Sequence, residues 1–416
     1  MMKIEKGRQD LLRIFQSALA RVEGRALVRN QLSELPGADG FSLVAVGKAA
    51  QSMAMGAVDA LGERLVDGLV ISKRGHLERR ALEANRLSAL EGGHPVPNLQ
   101  SLIAGRELLS YLSGLPVERP LLFLISGGAS SLLEVLKEGV SLEDLQAVNQ
   151  WLLGSGLAIG KMNRVRKGLS AIKGGGLLHY LAGRRLLALM ISDVPGDSPA
   201  VIGSGLLVPD DSAAAELASL DLPEWIQDLT SAVPWASEGE AAAVDIRILA
   251  NLRDAREAAA EEAQRLGYQV HLNHALISAD AENSGRRLAL ELLDSWPGVY
   301  VWGGEPSVEL PAAPGRGGRN QHLALAAATV IDGRDDICFL SAGTDGTDGP
   351  GEDAGALVDG GTIGRARREG FDAVECLARA DSGALLQASG DLIHTGPTGT
   401  NVMDLILGLK LESDSA

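Results

Sequence analysis

The sequence predicts an α/β fold with two domains, the larger of them built on an open, mostly parallel β-sheet. Short apolar runs that end in glycine recur along the chain, and helix-like stretches separate them. The runs lack strict alternation, which is typical of strands covered by helices on both faces. Glycine contributes 51 of the 416 residues, roughly twice its ordinary share of about 7%. Because no collagen period or Gly/Ser linker absorbs this surplus, we expect it in turns and ligand-binding loops.

The predicted elements alternate along the chain. An amphipathic helix opens it, predicted from apolar residues at helical spacing: Leu11, Leu12, Phe15, Leu19 and Val22. Strands follow at residues 41–46, 69–72, 121–126, 186–192, 246–250, 299–302 and 337–341. Asn251 is a candidate N-cap and Gly267 a candidate helix stop, and a further strand is predicted at residues 268–272. A strand–helix–strand unit of this kind is typical of α/β folds.

A change of composition marks the predicted domain boundary. Residues 208–244 are rich in proline, acidic residues and small residues, and their periodicity is weak. We therefore place the boundary near residue 235. This gives an N-terminal domain of residues 1–235 and a smaller C-terminal domain of residues 236–416.

Charge and composition exclude several classes of protein. The formal net charge is −16, with 38 basic against 54 acidic residues, so we expect neither a nucleic-acid partner nor an anionic membrane. No apolar stretch approaches the ~18 residues that a membrane span requires, and the charged N-terminus lacks the apolar core of a secretory signal. The two cysteines, Cys338 and Cys376, have neither metal-site nor disulfide-scaffold spacing, which favours a reduced, cytoplasmic setting.

Gly47 and Lys48 follow the first predicted strand and open a helix. A cation is unfavourable near a helix N-terminus unless an anion such as phosphate balances it, so Lys48 is a candidate phosphate ligand. The alternative is an exposed lysine beside a structural glycine. The segment is not a P-loop, because the pattern G-x-x-x-x-G-K-[ST] is not matched and Ala49 has no hydroxyl for Mg²⁺.

Two segments in the first half of the chain are candidate anion sites. The loop at residues 126–131 offers glycines for close approach and serines that either cap a helix or bind an anion: Ser126, Gly127, Gly128, Ser130 and Ser131. Residues 145–192 contain seven Lys/Arg and no Asp/Glu. A charge run is usually a solvated face, but a basic segment in an acidic chain is where an anionic substrate would be received. The candidates in this segment are Asn163, Arg166 and Lys173.

Aspartates come directly after two of the predicted strands. Asp193 follows the strand at 186–192, and Asp345 and Asp348 follow the strand at 337–341. Mg²⁺ is usually held by one or two carboxylates together with phosphate oxygens, so these residues are candidate metal ligands. Asx turns are the alternative for any single Asp-Gly pair.

Three glycine-containing segments of the second half complete the set of candidates. Glu305 follows two glycines, and residues 315–321 place arginines among glycines with no acid between residues 310 and 331. Arg319 is therefore a candidate oxyanion ligand, and Arg316 a weaker one. Residues 394–401 form a Thr/Gly/Asn loop that either holds a nucleotide or caps the last helix. Its candidate ligands are Thr395, Gly396, Thr398, Thr400 and Asn401.

Several enzyme classes lose support. His271 and His274 do not match H-E-x-x-H, and no G-x-S-x-G elbow is present, which argues against zinc and serine hydrolases. The glycines at residues 154–160 miss the dinucleotide fingerprint and follow a helix-like segment. A hydride-transfer enzyme is thus poorly supported.

Taken in order, the motifs resemble those of the glycerate 2-kinase family, which carries a C-terminal MOFRL domain and is often labelled hydroxypyruvate reductase. The resemblance extends over nearly the whole chain. It rests on residues 46–50, 92–97, 125–131, 163–175, 192–197, 303–305, 315–321, 342–349 and 395–401. It implies ATP-dependent phosphorylation of D-glycerate to 2-phosphoglycerate, with Mg²⁺, in a cleft between a Rossmann-like N-terminal domain and a smaller α/β domain.

The resemblance also suggests roles for the candidates. Lys48 and Arg319 match positions regarded as catalytic in the family, and we expect them to stabilise the transferring phosphoryl group. Asp193, with Asp345 or Asp348, would hold Mg²⁺ or orient the attacking hydroxyl. The substrate or its phosphates would be bound by Ser126, Gly127, Gly128, Ser130, Ser131, Asn163, Arg166, Lys173 and Glu305. The nucleotide would be bound by Gly47, Thr395, Gly396, Thr398, Thr400 and Asn401.

Two alternatives remain open. An NAD(P)H-dependent hydroxypyruvate reductase would need a nicotinamide fingerprint that the chain does not show. A non-catalytic sensor for a small phosphorylated acid would use the same anion-binding loops without needing a metal. The oligomeric state is also open, with a homodimer among the possibilities.

Overall fold

The computed structural model describes residues 2–35, 40–157, 159–181, 183–210, 213–231 and 244–412. The chain forms two compact units: Gly24–Leu249 is the N-terminal unit, and Met1–Glu23 together with Ala250–Ala416 is the C-terminal unit. The predicted boundary near residue 235 lies outside the described residues. None of the helices in the described ranges is both long and apolar enough to cross a membrane.

Helix α1 (Met2–Arg21) is amphipathic, as predicted, but it belongs to the C-terminal unit. Leu11, Ile14, Phe15 and Ala18 are buried at helical spacing, and the helix packs on the helix at residues 252–265. Chain order had assigned α1 to the N-terminal domain. Its apolar face finds its partner through long-range packing, which the order of elements along the chain does not reveal.

The N-terminal unit is built on a six-stranded sheet in the order β3-β2-β1-β4-β5-β6. Its strands are β1 (Phe41–Val46), β2 (Leu65–Lys73), β3 (Leu87–Gly92), β4 (Leu121–Ile125), β5 (Leu186–Ile191) and β6 (Val244–Ala250). All the pairings from β3 to β5 are parallel, and β1 and β4 are buried along their whole length. The continuous apolar runs therefore did indicate a parallel sheet covered on both faces.

The helices of this unit precede, connect and cover the strands. They are α2 (Gly24–Ser33), α3 (Ala50–Leu61), α4 (Arg79–Glu83), α5 (Leu99–Gly114), α6 (Ala129–Leu132), α7 (Leu142–Gly154), α8 (Ile159–Gly168), α9 (Ala213–Ala218) and α10 (Glu224–Ser231). β6 joins this sheet at its edge, so the unit extends past residue 236 to residue 249.

The order of strands reverses between β1 and β4, which lie side by side. Val46 at the end of β1 is paired with Ile125 at the end of β4. The loops that follow these two strands therefore leave the sheet at the same edge. In open α/β sheets, ligands bind at the carboxyl ends of the strands at such a point of reversal.

The C-terminal unit has a mixed six-stranded sheet in the order β11-β10-β9-β12-β8-β7. Its strands are β7 (Val270–Ile277), β8 (Gly298–Gly304), β9 (Ile337–Gly343), β10 (Gly355–Asp359), β11 (Leu392–Ile393) and β12 (Asp404–Lys410). β7 and β8 are parallel, whereas β12 is antiparallel to both of its neighbours and β10 is antiparallel to β9. β12 is almost completely buried, so its apolar sequence gave no sign of its reversed direction.

Helices α11 (Leu252–Arg265), α12 (Ala281–Asp294), α13 (Arg319–Val330), α14 (Thr362–Arg368), α15 (Ala373–Ala378) and α16 (Ser382–Ser389) accompany this sheet. Asn251 caps α11 with a capping box, as predicted from its position. Within the sheet, Asp404 at the start of β12 is opposite Gly304 at the end of β8 and Gly343 at the end of β9. This register brings the loops after β8 and β9 beside the start of β12.

Candidate functional site

The turn after β1 holds Lys48 at the carboxyl edge of the N-terminal sheet. Gly47 has φ +128°, and a Cβ at this position would lie 2.2 Å from Ser126 Oγ, so the turn requires glycine. The backbone amide of Lys48 donates to the carbonyl of Gly127 at 2.9 Å. The turn that carries Lys48 is thus joined directly to the loop at residues 126–131, which we call the serine loop.

The hydroxyl groups of the serine loop have different kinds of partner. Ser126 Oγ accepts a hydrogen bond from the amide of Ala49 at 3.0 Å, next to the start of α3. Gly128 has φ +85°, and a Cβ there would lie 3.2 Å from the His94 ring. Ser130 Oγ lies 2.6 Å from Ser204 Oγ. The hydroxyl of Ser126 thus ties the loop to the start of α3, whereas that of Ser130 contacts Ser204.

A cavity of about 490 Å³ in the N-terminal unit gathers residues from separate segments of the chain. Its polar wall consists of Gly128, Ser130, Ser131, Asn149, Asn163, Arg166, Lys173, Asp193 and Ser204, and its apolar wall includes Val96, Leu145, Val194 and Val201. Cavities of this size typically take small-molecule ligands. Most of the site residues predicted in this half of the chain thus share one cavity.

Arg166 is held in the cavity by two neutral side chains. Its Nε donates to Asn149 Oδ1 at 2.8 Å, and its Nη1 donates to Asn163 Oδ1 at 3.0 Å. Burial lowers the pKa of Arg166 from its ordinary value, although an arginine remains charged at neutral pH. Arg166 is therefore a cation kept in place by amide oxygens.

Lys173 forms a buried ion pair with Glu134. The second oxygen of Glu134 accepts a hydrogen bond from Ser170 Oγ at 2.6 Å. Lys173 lines the cavity, but its charge is largely balanced by this partner. The pairing is needed because an unpaired charge at this depth would be very costly.

In the C-terminal unit, Arg319 is the first residue of α13 and is clamped by two carboxylates. Its Nε and Nη2 donate to Asp404 at 2.6 and 3.1 Å, and its Nη1 lies 2.9 Å from Glu305. Burial alone would lower the pKa of Arg319, but the two carboxylates outweigh it and raise the pKa. The side chain is still 34% exposed, so the guanidinium is both fixed and accessible.

Asp348 caps α13. Its Oδ1 accepts from the amide of Asn320 at 3.0 Å and its Oδ2 from the amide of Gln321 at 2.8 Å. Burial raises the pKa of Asp348 to about 6, against the lowering effect of these two hydrogen bonds. The carboxylate thus supports the helix that begins with Arg319.

Asp345 forms an Asx turn just after β9. Its Oδ1 accepts from the amide of Thr347 at 2.9 Å and from Thr347 Oγ1 at 3.1 Å. The residue is buried, and a Cβ on Gly343 would lie 3.3 Å from the same oxygen. The turn that was the alternative explanation for Asp-Gly pairs is therefore present here.

The Thr/Gly/Asn loop packs against this turn. Thr398 Oγ1 donates to the carbonyl of Thr344 at 2.5 Å, and Gly346 lies so close to Gly396 that a Cβ would be 2.0 Å from its carbonyl oxygen. The loop leads into β12, so it does not cap a last helix. Within the described ranges, the buried Oγ1 of Thr400 has no hydrogen-bond partner.

The candidate acidic ligands for Mg²⁺ lie in different surroundings. In the part of the chain that the structure describes, no group of three or more His, Cys, Asp or Glu side chains could hold a metal ion. Asp348 fits less well, because its two oxygens already accept three hydrogen bonds from Asn320 and Gln321, of the about four that a carboxylate can accept. Asp193 on the cavity wall and Asp345 remain suitable as single carboxylate ligands to a metal whose other ligands are phosphate oxygens.

Comparisons with known proteins decide the family. Residues 10–228 match the model of a domain of unknown function, DUF4147, and residues 298–404 match the MOFRL family. The D-glycerate 2-kinase of Thermotoga maritima is 37% identical over 382 residues, which cover 89% of this chain and 91% of that protein. The chain belongs to the glycerate 2-kinase family.

Other members of the glycerate 2-kinase family agree with this assignment. The crystal structure of glycerate kinase from Thermotoga maritima covers 98% of this chain and 100% of its own, with a TM-score of 0.82 and 34% identity. A relative from Agrobacterium vitis, 39% identical over 96% of this chain and 93% of its own, is named only provisionally, as a hydroxypyruvate reductase. The predicted two-part α/β fold and the C-terminal MOFRL region are confirmed.

Three residues that hold candidate ligands of this glycerate 2-kinase family member were not predicted from the sequence. Asp404 clamps Arg319, Glu134 neutralises Lys173, and Asn149 holds Arg166. Glu134 had a detectable signal, since it is a lone acid within the apolar run of residues 132–136. Asp404 comes three residues after the Thr/Gly/Asn loop, but nothing in its spacing pointed to Arg319.

Proposed function

We propose that the protein is a D-glycerate 2-kinase, which transfers the γ-phosphoryl group of ATP to the 2-hydroxyl of D-glycerate and releases 2-phosphoglycerate and ADP. The cavity of the N-terminal unit carries the proposal, because anion-binding and polar groups from separate segments converge there at the carboxyl edge of the sheet. Relatives named for this activity, which match most of the chain, support it.

On the substrate side, we assign the cavity to D-glycerate. Arg166 supplies a positive charge, while Ser130, Ser131 and Asn163 supply short polar groups on the same wall. Lys173 lines the cavity as an ion pair with Glu134, so its proposed role is to shape and polarise the wall.

The chemistry requires charge neutralisation more than covalent catalysis. The 2-hydroxyl oxygen forms a bond to the γ-phosphorus, the bond from that phosphorus to the ADP oxygen breaks, and the hydroxyl proton is lost. We assign Lys48 and Arg319 to stabilise the charge on the transferring phosphoryl group. Asp193, on the cavity wall, is the candidate to orient the hydroxyl and to accept its proton.

The nucleotide and its metal are assigned to the remaining loops. Gly47 permits close approach of backbone to phosphate, and the Thr/Gly/Asn loop offers Thr395, Gly396, Thr398, Thr400 and Asn401 as nucleotide ligands. Asp345 is a candidate carboxylate ligand for Mg²⁺. Asp193 is a candidate either for this role or for that of the proton acceptor, since a carboxylate bound to Mg²⁺ is a weak base. When bound, the metal neutralises phosphate charge. Asp348 is left out of this set, because it caps α13.

We further place the enzyme in the cytoplasm, without a nucleic-acid or membrane partner. Both cysteines are free and buried, as is usual in a reducing compartment. The net charge of −16 disfavours polyanionic partners.

The function is tested by incubating the protein with ATP, Mg²⁺ and D-glycerate and measuring the release of ADP. We expect release that depends on both D-glycerate and Mg²⁺. No turnover with any of a panel of hydroxy acids would leave the sensor as the better account. Oxidation of NADH or NADPH with hydroxypyruvate, in the absence of ADP release, would establish the reductase instead.

A further inference from the structure

Arg166 differs from the other basic residues around it in the kind of partner that holds it. On α8, Arg164 and Lys167 both contact the carboxylate of Asp210, at 2.6 and 3.0 Å. Lys173, beyond the end of the helix, pairs with Glu134. Arg166 contacts only the amide oxygens of two asparagines by its side chain, and no carboxylate oxygen within the described residues lies within 4.0 Å of it.

The geometry leaves one edge of this guanidinium for a ligand. Nε and Nη1 are used by Asn149 and Asn163, whereas Nη2 makes no hydrogen bond within the part of the chain that the structure describes. Asn149 is 8% exposed and lies on α7, so its position is fixed by the packing of that helix. Arg166 lines the cavity together with both asparagines. The cavity therefore contains a fixed cation that forms no ion pair with a carboxylate of the described residues.

We propose that Asn149 is a positioning residue, which fixes Arg166 through a neutral oxygen so that the charge of the guanidinium is available to the carboxylate of the substrate. The proposal rests on the proposed function and deepens it, because it names the residue that keeps the charge of Arg166 available to the carboxylate of D-glycerate. Charge-assisted hydrogen bonds between a guanidinium and a carboxylate are roughly twice as strong as neutral ones. An aspartate at position 149 would also accept a hydrogen bond from Arg166. Its negative charge, however, would balance that of the guanidinium and weaken the attraction to the substrate carboxylate.

The substitution Asn149→Asp tests the proposal, because it keeps the shape and the hydrogen-bond acceptor and adds only a negative charge. We expect the KM for D-glycerate to rise at least ~10-fold, while the KM for ATP changes less than about twofold. Asn149→Ala removes the acceptor but leaves the charge of Arg166 available, so its effect on the KM for D-glycerate should be smaller. Asn30→Asp, on the exposed surface of α2, adds the same charge elsewhere and should leave both constants unchanged.

Three results would overturn the inference. A larger rise in the KM for D-glycerate with Asn149→Ala than with Asn149→Asp would mean that Asn149 acts through packing alone. A rise mainly in the KM for ATP would mean that Arg166 serves a phosphate. Unchanged constants in Asn149→Asp would show that the charge of Arg166 is not used. All three presuppose turnover of D-glycerate by the unsubstituted protein, so failure of the proposed function is seen separately, as absence of that turnover.

Discussion

At the scale of single residues, the basic candidate ligands differ in the side chains that hold them. Arg319 is clamped by Asp404 and Glu305, Lys173 by Glu134, and Arg166 by two amides. Carboxylate partners fix a cation but balance its charge, whereas amide partners fix it and leave the charge available. The same residue type therefore has different capacities to bind an anion in different parts of the protein.

Replacement of Lys48 by alanine should reduce turnover by about 10²- to 10³-fold, equivalent to about 2.7 to 4 kcal/mol of transition-state stabilisation. The reason is that Lys48 is the cation placed at the carboxyl edge of the sheet, beside the serine loop. The measurement is steady-state kinetics together with thermal unfolding. Turnover near that of the unsubstituted enzyme, with unfolding unchanged, would show that Lys48 is not catalytic.

Replacement of Asp404 by asparagine should lower kcat by about 10-fold or more, with a smaller change in KM, because Arg319 loses the bidentate partner that orients it. Asp404 is 1% exposed, so it acts through Arg319. The substitution should also make the loss from a second change, Arg319→Ala, smaller than it is in the unsubstituted enzyme. Fully additive effects of the two changes would contradict this coupling. Asp335→Asn, at an exposed position, is the matched control.

At the scale of elements, the candidate residues of each unit lie where strands end and helices begin. The turn after β1 and the loop after β4 meet because parallel strands present their carboxyl ends at one edge. In the C-terminal unit, the antiparallel β12 places Asp404 opposite the ends of β8 and β9. Two different sheet geometries thus each bring a basic residue beside glycine-rich loops.

Gly47→Ala should destabilise the N-terminal unit by about 2 to 4 kcal/mol. About 1 kcal/mol comes from the positive φ and about 1 to 3 kcal/mol from the contact of the new Cβ with Ser126. Gly139→Ala is the control, since Gly139 also has positive φ, +82°, but a Cβ there meets nothing within 4 Å. Denaturant unfolding measures both variants. Equal losses would show that the contact with Ser126 does not constrain the turn.

The cap of α13 should make stability depend on pH. The pKa of Asp348 is raised to about 6 in the folded state, so the folded protein binds a proton more tightly there than the unfolded chain does. The contribution of this group to stability is therefore present in acid and is lost as the pH rises toward and past ~6. Relative to the unsubstituted protein, Asp348→Asn should gain up to about 3 kcal/mol between about pH 4 and pH 7. A difference between the two proteins that is flat with pH, measured by denaturant unfolding, would refute the raised pKa.

The sequence allowed the strands and loops of the N-terminal sheet to be predicted, because their order and apolar runs follow the rules of parallel sheets. It also allowed Arg319 and Arg166 to be proposed as candidate ligands from charge patterns, and Asp193 from its position just after a predicted strand. The partners of these groups could not be predicted, since Asp404 is 85 positions from Arg319 and Glu134 is 39 from Lys173. Such contacts depend on the insertion of β12 and on the packing of irregular segments, neither of which leaves a periodic signal.

At the scale of the whole molecule, the net charge of the protein does not indicate which ligands its cavity binds. The chain carries a charge of −16, yet residues 145–192 contain no acid and supply Arg166 and Lys173 to the cavity. Glycine also matters at particular positions. At Gly47, Gly128 and Gly346, a side chain would collide with neighbouring loops. Overall composition therefore describes the surface, and the proposed chemistry depends on local exceptions to it.

The central claim is phosphorylation of D-glycerate at its 2-hydroxyl, and phosphorus NMR of the reaction product tests it most directly. With ATP, Mg²⁺ and D-glycerate, we expect the resonance of 2-phosphoglycerate to grow as ADP forms, and the Lys48→Ala variant to produce it far more slowly. Formation of 3-phosphoglycerate, or of inorganic phosphate alone, would contradict the account.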